Sequence, residues 1–525
     1  MRRILPWFFL LLSLVLGLFL RDYYPGDWFD QETDAQGQPH AVIYQVEADA
    51  YARLARVQRI LDGHGLVQRF HPQENYPEGM APTTTLPFDL LILAVYFPAK
   101  LFTPDALDWA GALVSPLLYL VLVGFVFWWS RDWPLRARAL LFLGLATFPS
   151  QIWATPFARP DHQSLNLVLI AAALCLEWNR WKPSRPASIA AGLFWGLAMW
   201  SSLYEPLLLF VAVVVFNLIS RRREQIPFLI ATGATLALAF LVEGGHLHRT
   251  PPELDAYLAR WLSTVNEVKA MTPYAATLYF TPAVWLLPLF IVRYLQCGER
   301  KPVDWLLVIL SVALLVVAFL QTRWLYFTSF LLLLLIAGWY GRETIKWLRR
   351  IVLGVIIFSV MWSLDRDIEG IEKRETPPTE QLRRLAQSIN GPGGILAPWW
   401  LSPTLLYYSG QPIVAGSSHM SISGIVDTAR FFTATTWPQG DEIVEKRHVR
   451  WIVVYMPERL LLNSRQILDY KAPIAAPNPE APEAIVLPRA ATLAEWLDST
   501  RATPTRYRLR AVERDCKLYE YIPGN

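Results

Sequence analysis

The sequence predicts a polytopic α-helical membrane protein that ends in a soluble α/β domain. Hydrophobic residues make up 54% of the 525, with 23 Trp and a positive mean hydropathy. Apolar stretches near the spanning length of ~20 residues recur throughout the first 364 positions. Beyond about residue 365 the pattern changes to short β-branched runs bounded by Gly and Pro, interleaved with helical periodicity. Such a composition excludes a soluble two-layer enzyme.

The chain opens with "MRRILPWFFLLLSLVLGLFLRDYYPGD". Its apolar core is long and no small-x-small cleavage site precedes Arg21, so the segment reads as a retained signal-anchor rather than a cleaved signal peptide. Further apolar segments lie near 109–129, 137–156, 163–178, 187–203, 205–219, 226–243, 276–296, 303–320, 324–340 and 349–364, giving about eleven spans with 4–20. A twelfth candidate, 86–102, contains Pro87, Asp89 and Pro98. If it does not cross, the inner loops collect 17 basic residues and the short outer loops hold five: Arg159, Arg249, Arg260, Lys269 and Arg323. Basic residues prefer the cytoplasmic side. Residues 86–102 therefore read as an interfacial or re-entrant helix. The N-terminus is then cytoplasmic, 21–108 is a long first outer loop, and 244–275 is a later one.

Residues 1–364 form the membrane domain and 365–525 a periplasmic or extracellular domain. Within the latter, "PPTEQLRRLAQSI" has helical periodicity, whereas "GGILAPWW", "QPIVAG" and "VRWIVVYMP" read as strands, a pattern of alternating helix and strand. The stretch "APIAAPNPEAPEAIVLP" (472–488) reads as an exposed Pro/Ala loop. Three Cys, at 175, 297 and 516, are too scattered for a disulfide framework or a CxxC metal site.

With this topology three acidic residues share the outer side: Asp49 in "EADAYARLAR", Asp161 in "FARPDHQ" and Glu267 in "STVNEV". Charges beside apolar runs are costly and mark places where charge is handled. Each also has a plainer reading. Asp49 suits the start of a solvated amphipathic helix carrying Arg53, Arg56 and Arg59. Asp161 suits a pair with Arg159 or a helix cap after Pro160. Glu267 suits a solvated loop, although the length of that loop, which also holds His246 and His248, points to function. Asp161, His162 and Gln163 together offer oxygen and nitrogen donors suited to Mg²⁺ or Mn²⁺. Arg323, at the outer end of a span, either snorkels to the interface or binds a phosphate. Glu205, beside Pro206, carries less weight.

Taken in order, these pieces resemble the catalytic subunits of oligosaccharyltransferases, which are GT-C superfamily membrane glycosyltransferases. The resemblance rests on Asp49 in the first outer loop, "RPDHQ" as a D-x-(D/E/H)-like motif, "TVNE" as a T/S-V/I-x-E motif, Arg323 opening a late span, and "GGILAPWWLSPTLLYYSGQPIVAG". It implies a distant bacterial-type relative that moves a sugar or oligosaccharide from a polyprenyl-(di)phosphate donor to a protein or lipid acceptor at the outer face of the plasma membrane. Asp49, Asp161 and Glu267 would be catalytic. With His162 and Gln163 they would hold Mg²⁺ or Mn²⁺, Arg323 would bind the donor phosphate, and Trp399 and Trp400 would line the acceptor path. No nucleic-acid partner is expected. Two departures stand out. Leu401 replaces the family's Asp after Trp-Trp, which in the family serves sequon recognition, and Gln163 replaces a carboxylate or His. The first favours a single-sugar transferase acting on lipid or lipopolysaccharide as the alternative; a flippase of lipid-linked glycans is the competing class.

Overall fold

A computed structural model describes residues 4–523 except 27, 34–38, 180–183, 221–224, 245–249, 298–300, 373–377, 470–490 and 500–502. His246, His248, the 472–488 loop and several inner-loop basic residues lie outside the described residues. The chain divides into two units. The first comprises Met1–Val46, Thr84–Gly245 and Glu267–Thr376, and the second Glu47–Thr83, His246–Asn266 and Pro377–Asn525.

The first unit is helical, and its helices fall where the apolar runs lie. Six of them are long and apolar enough to cross a membrane among the described residues: Leu5–Tyr23, Ala106–Asp132, Gln225–Glu243, Pro302–Leu320, Thr322–Arg342 and Lys346–Gly370. A seventh is possible if Pro273–Tyr279 and Pro282–Gln296, bent by 103°, count as one span. The count of about eleven is therefore not established. Part of the shortfall has a local cause: the 137–156 run breaks into Leu135–Thr147 and Pro149–Ala154 at Pro149, which cannot donate to the preceding turn, and the helices Arg185–Ser201 and Tyr204–Ile219 are only 17 and 16 residues long. Residues 86–102 contain a helix of 14 residues, Leu86–Ala99, which is short for a straight crossing.

The helix Leu325–Arg342 is the core of this unit, with all residues but Tyr340 and Arg342 buried. Close approach elsewhere depends on small residues. Helix Arg185–Ser201 carries Gly192 and Gly196 four apart, and a Cβ at these positions would stand 2.3 Å from Phe228 O and 2.5 Å from Thr235 Cβ of Gln225–Glu243. At the opposite end of the central helix from Arg323, Arg342 reaches Asp304 at 2.8 Å and Arg293 reaches Glu343 at 2.7 Å. These pairs tie three helices together.

The first helix is locked by Arg21, which is buried. Its guanidinium donates to Thr155 Oγ1 (2.7 Å), Gly17 O (3.0 Å), Leu145 O (3.2 Å) and Gln151 O (2.8 Å). Phe157 N in turn donates to Arg21 O. This fixes the turn that leads to Asp161.

The second unit is an α/β layer structure. Its sheet runs in the order Gly394–Leu396, Val449–Tyr455, Cys516–Tyr521, Tyr507–Glu513, with the first pair parallel and the others antiparallel. Side chains alternate along Val449–Tyr455: Trp451, Val453 and Tyr455 join Leu382, Leu385 and Leu405 on one face, while Ile452 and Val454 join Phe431, Phe432 and Leu460 on the other. Two outer-loop segments belong to this unit. Ala55 of helix Ala48–Leu61 enters the first core, and Asn75 Oδ1 accepts from Ser423 Oγ (2.8 Å) and Gly424 N (2.9 Å). Trp261 of helix Asp255–Thr264 packs among Ile422, Ile425 and Ile467.

Candidate functional site

In the first unit the turn at 155–161 is held from both sides. Val46 N donates to Ala158 O, Ala158 N donates to Ala112 O, and Ser115 Oγ donates to Arg159 O at 2.6 Å. Asp161 then precedes helix His162–Asn179 and accepts the Gln163 N–H at 3.1 Å, the bond an N-cap makes. His162 Nδ1 donates to the same carboxylate oxygen at 2.9 Å.

Arg159 completes this arrangement. Its guanidinium lies 3.3 Å from Asp161 Oδ2 and 3.4 Å from Glu267 Oε1, and it donates to Tyr326 Oη (3.0 Å) and Trp153 O (2.9 Å). Gln163 Nε2 donates to Glu267 Oε2 at 3.0 Å. Asp161, Gln163 and Glu267 are thus brought together, with His162 on Asp161, across more than a hundred residues of sequence. Burial alone would raise the Asp161 carboxyl. The charge and hydrogen bond of His162, with Arg159 and the Gln163 N–H, outweigh it and hold the group well below the usual carboxylate range. Both plain readings of Asp161, a cap and a partner of Arg159, are realised at once. Beyond the pair with Asp161, Arg159 also reaches Glu267, a contact whose one signal in the sequence is an Arg on the outer side against the charge bias.

Arg323 sits in the turn Thr322–Trp324, just before Tyr326. Thr322 N and Oγ1 both donate to Lys269 O, two residues beyond Glu267, so the loop of Glu267 is pinned to the turn of Arg323. The Arg323 guanidinium pairs with Glu205 and lies 5.2 Å from the Tyr204 ring centroid. Glu205 is therefore a partner of Arg323 as well as a residue beside Pro206.

Asp49, Trp399 and Trp400 belong to the second unit. Asp49 lies in the first turn of helix Ala48–Leu61. Its field reaches Glu74, a buried carboxyl whose Oε1 is 3.6 Å from His71 Nδ1. Burial first, then Asp49, against an opposing Arg56, push Glu74 up to about 7. Burial, with Arg59 and Arg56, pushes His71 down to about 3. Trp399 Nε1 donates to Asn463 Oδ1 at 3.1 Å, its ring stands edge-on to Trp261, and Arg459 lies over Trp400. Leu401 is buried in the core with Leu405 and Ile395. The position of the family's Asp is thus an apolar one.

No protein-family model matches the chain, and no curated protein matches it. Solved structures do. The oligosaccharyltransferase AglB from Archaeoglobus fulgidus, in complex with an inhibitory peptide and a dolichol-phosphate, is 14% identical with a TM-score of 0.66, over 86% of this chain and 70% of that one. ArnT from Cupriavidus metallidurans, bound to undecaprenyl phosphate, is 13% identical with a TM-score of 0.59, over 98% and 97%. This chain thus shares its fold with these two proteins. A further Archaeoglobus structure, in complex with Zn and sulfate, matches at 14% identity and a TM-score of 0.60, over 85% and 68%. Among the described residues no group of three or more His, Cys, Asp or Glu stands ready to hold a metal ion.

Proposed function

We propose that this protein is a membrane glycosyltransferase that moves a sugar or oligosaccharide from a polyprenyl-(di)phosphate donor to a protein or lipid acceptor at the outer face of the plasma membrane, with its N-terminus cytoplasmic. The observation that carries the reading is the shared fold, over 98% of this chain in one case and 86% in the other, with two proteins solved with a polyprenyl-type lipid phosphate bound.

The reaction joins an acceptor heteroatom to the anomeric carbon as the bond from that carbon to the phosphate oxygen breaks. The phosphate leaves with the electron pair, and the acceptor releases its proton. Arg323 offers the fixed positive charge that binds the phosphate, in a preorganised position. Glu267, the more exposed of the two paired carboxylates at 39%, orients the acceptor nucleophile and takes up its proton. Asp161 and Arg159 hold Glu267 in register. Asp49 joins the catalytic set, and Trp399 and Trp400 the acceptor path, on the strength of the sequence resemblance.

The donor chemistry also suits Mg²⁺ or Mn²⁺. Gln163 is 5% exposed, and its Oε1 has no hydrogen-bond partner, an orphaned oxygen on a residue whose two N–H groups already contact Asp161 and Glu267. Asp161, Gln163, Glu267 and His162 would hold the ion, which would supply Lewis-acid compensation of charge on the leaving phosphate; Asp49 is added to this set only by the sequence resemblance. Leu401, buried where the family carries Asp, favours an acceptor other than a sequon and keeps a single-sugar transferase acting on lipid or lipopolysaccharide as the second reading.

The test is transfer in proteoliposomes from a polyprenyl-phosphate-linked sugar, comparing the wild type with Asp161→Asn. Release of the polyprenyl phosphate or diphosphate with product formation supports the enzyme. Movement of intact donor across the bilayer without cleavage overturns it in favour of a transporter.

A further inference from the structure

We infer that Arg159 is a built-in counter-cation that clamps Asp161 to Glu267 and competes with a divalent ion for their oxygens. The inference rests on the proposed function only in taking these carboxylates as a cation site.

The geometry is specific. One guanidinium nitrogen, Nη2, stands 3.3 Å from Asp161 and 3.4 Å from Glu267, so a single positive group serves both acids. The other, Nη1, is anchored on Tyr326 Oη and Trp153 O, contacts that fix the guanidinium where it is. The residue is 7% exposed, and its charge is therefore little screened by water. Gln163 Oε1 supplies an independent sign that a ligand belongs here: it is buried, unpartnered, and part of the carboxamide that already donates to Glu267. A divalent ion needs the oxygens on which Arg159 now sits. With Arg159 in place the two carboxylates are half neutralised; without it their charge is left to Gln163, His162 and whatever cation is available. Arg159 is in this sense a positioning residue. It keeps the two acids together when no ion is bound and raises the ion concentration at which they exchange it.

The experiment titrates Mn²⁺ into the detergent-solubilised full chain and follows loss of the free-ion paramagnetic resonance signal. Arg159→Met is expected to bind Mn²⁺ at least tenfold more tightly than wild type. Arg159→Lys, a point charge without the planar fork, is expected to fall between them, and it carries the test should Arg159→Met fail to fold. Adding Asp161→Asn to Arg159→Met should abolish the gain. Equal or weaker Mn²⁺ binding in the folded Arg159 variants, or no binding in any of them, overturns the proposal. Sugar transfer by the wild-type preparation, measured alongside, reports on the proposed function separately.

Discussion

Glu74 offers a sharp test of the second unit. Its carboxyl is 4% exposed, and a Cβ added to Gly416 would stand 2.3 Å from Glu74 Oε2, so little room remains on that side. His71 faces it from the same loop, and Asp49 and Arg56 act on it from helix Ala48–Leu61. An acid whose folded value is raised from an ordinary 4.5 to about 7 keeps its proton in the folded state while the unfolded chain has lost it. Stability therefore falls as pH rises from 4.5 to 7, and the full penalty is present above 7. At about 1.4 kcal/mol for each tenfold change in proton affinity, the loss amounts to about 3 kcal/mol. Glu74→Gln, near in shape but never charged, should escape this penalty. Unfolding followed by intrinsic Trp fluorescence in detergent, at one scan rate from pH 4.5 to 8.5, should show the variant gaining on wild type through that window. The gain should plateau above pH 7 at several degrees, taking roughly 2–4 °C per kcal/mol. His71, held down at about 3, contributes the opposite slope below 6.5, but it is present in both proteins. A difference that does not vary with pH, or a variant less stable at pH 8, would refute the reasoning.

Three further outcomes are expected. Arg323→Ala should lower kcat/KM for transfer by about 10²-fold or more, as expected for loss of a preorganised charge at the leaving group; Arg323→Lys should restore only part of it, measured with the same polyprenyl-linked donor. Asp161→Asn keeps a good N-cap but takes one of two carboxylates from the buried Arg159, so it should lower stability by roughly 1–3 kcal/mol, while transfer drops by about 10²-fold; thermal unfolding and transfer assays on one preparation, at a temperature where the variant is folded, separate the two effects. Leu401→Asp, which restores the family's pattern, should destabilise by roughly 2–5 kcal/mol through a carboxylate in an apolar core, read as a lower unfolding temperature, and should not confer sequon glycosylation.

Much of this was legible in the chain, and the rest failed for identifiable reasons. Apolar runs gave the helices their places because burial in lipid or protein demands a continuous apolar stretch. Their lengths were less legible, since Pro149 ends one run early and the 276–296 run bends by 103°. The turn holding Asp161 was readable from "FARPDHQ", as was its cap. What no local pattern carries is the reach of Arg159 to Glu267, 108 residues away, or of Asn75 to Ser423. Such contacts are made by tertiary packing, and periodicity reports only on neighbours along one element. Glu74 and His71 lie in "FHPQENYPEG", a polar stretch with two Pro whose composition suits solvent exposure, yet both side chains are buried. The one local hint was the run of titratable groups in a segment rich in Pro and aromatic residues.

The second unit is assembled from three separate stretches of chain, and this has a consequence for biogenesis. Residues 47–83 leave the ribosome more than three hundred residues before Ile413, with which Glu74 of their loop forms a parallel bridge. Because domains complete only when their parts have been synthesised, helix Ala48–Leu61 and the Asn75 loop must wait without their partners while most of the helices are inserted. A stop codon near residue 377 would then do more than remove a tail. It would orphan two earlier segments and leave their apolar faces open to capture by quality-control proteases.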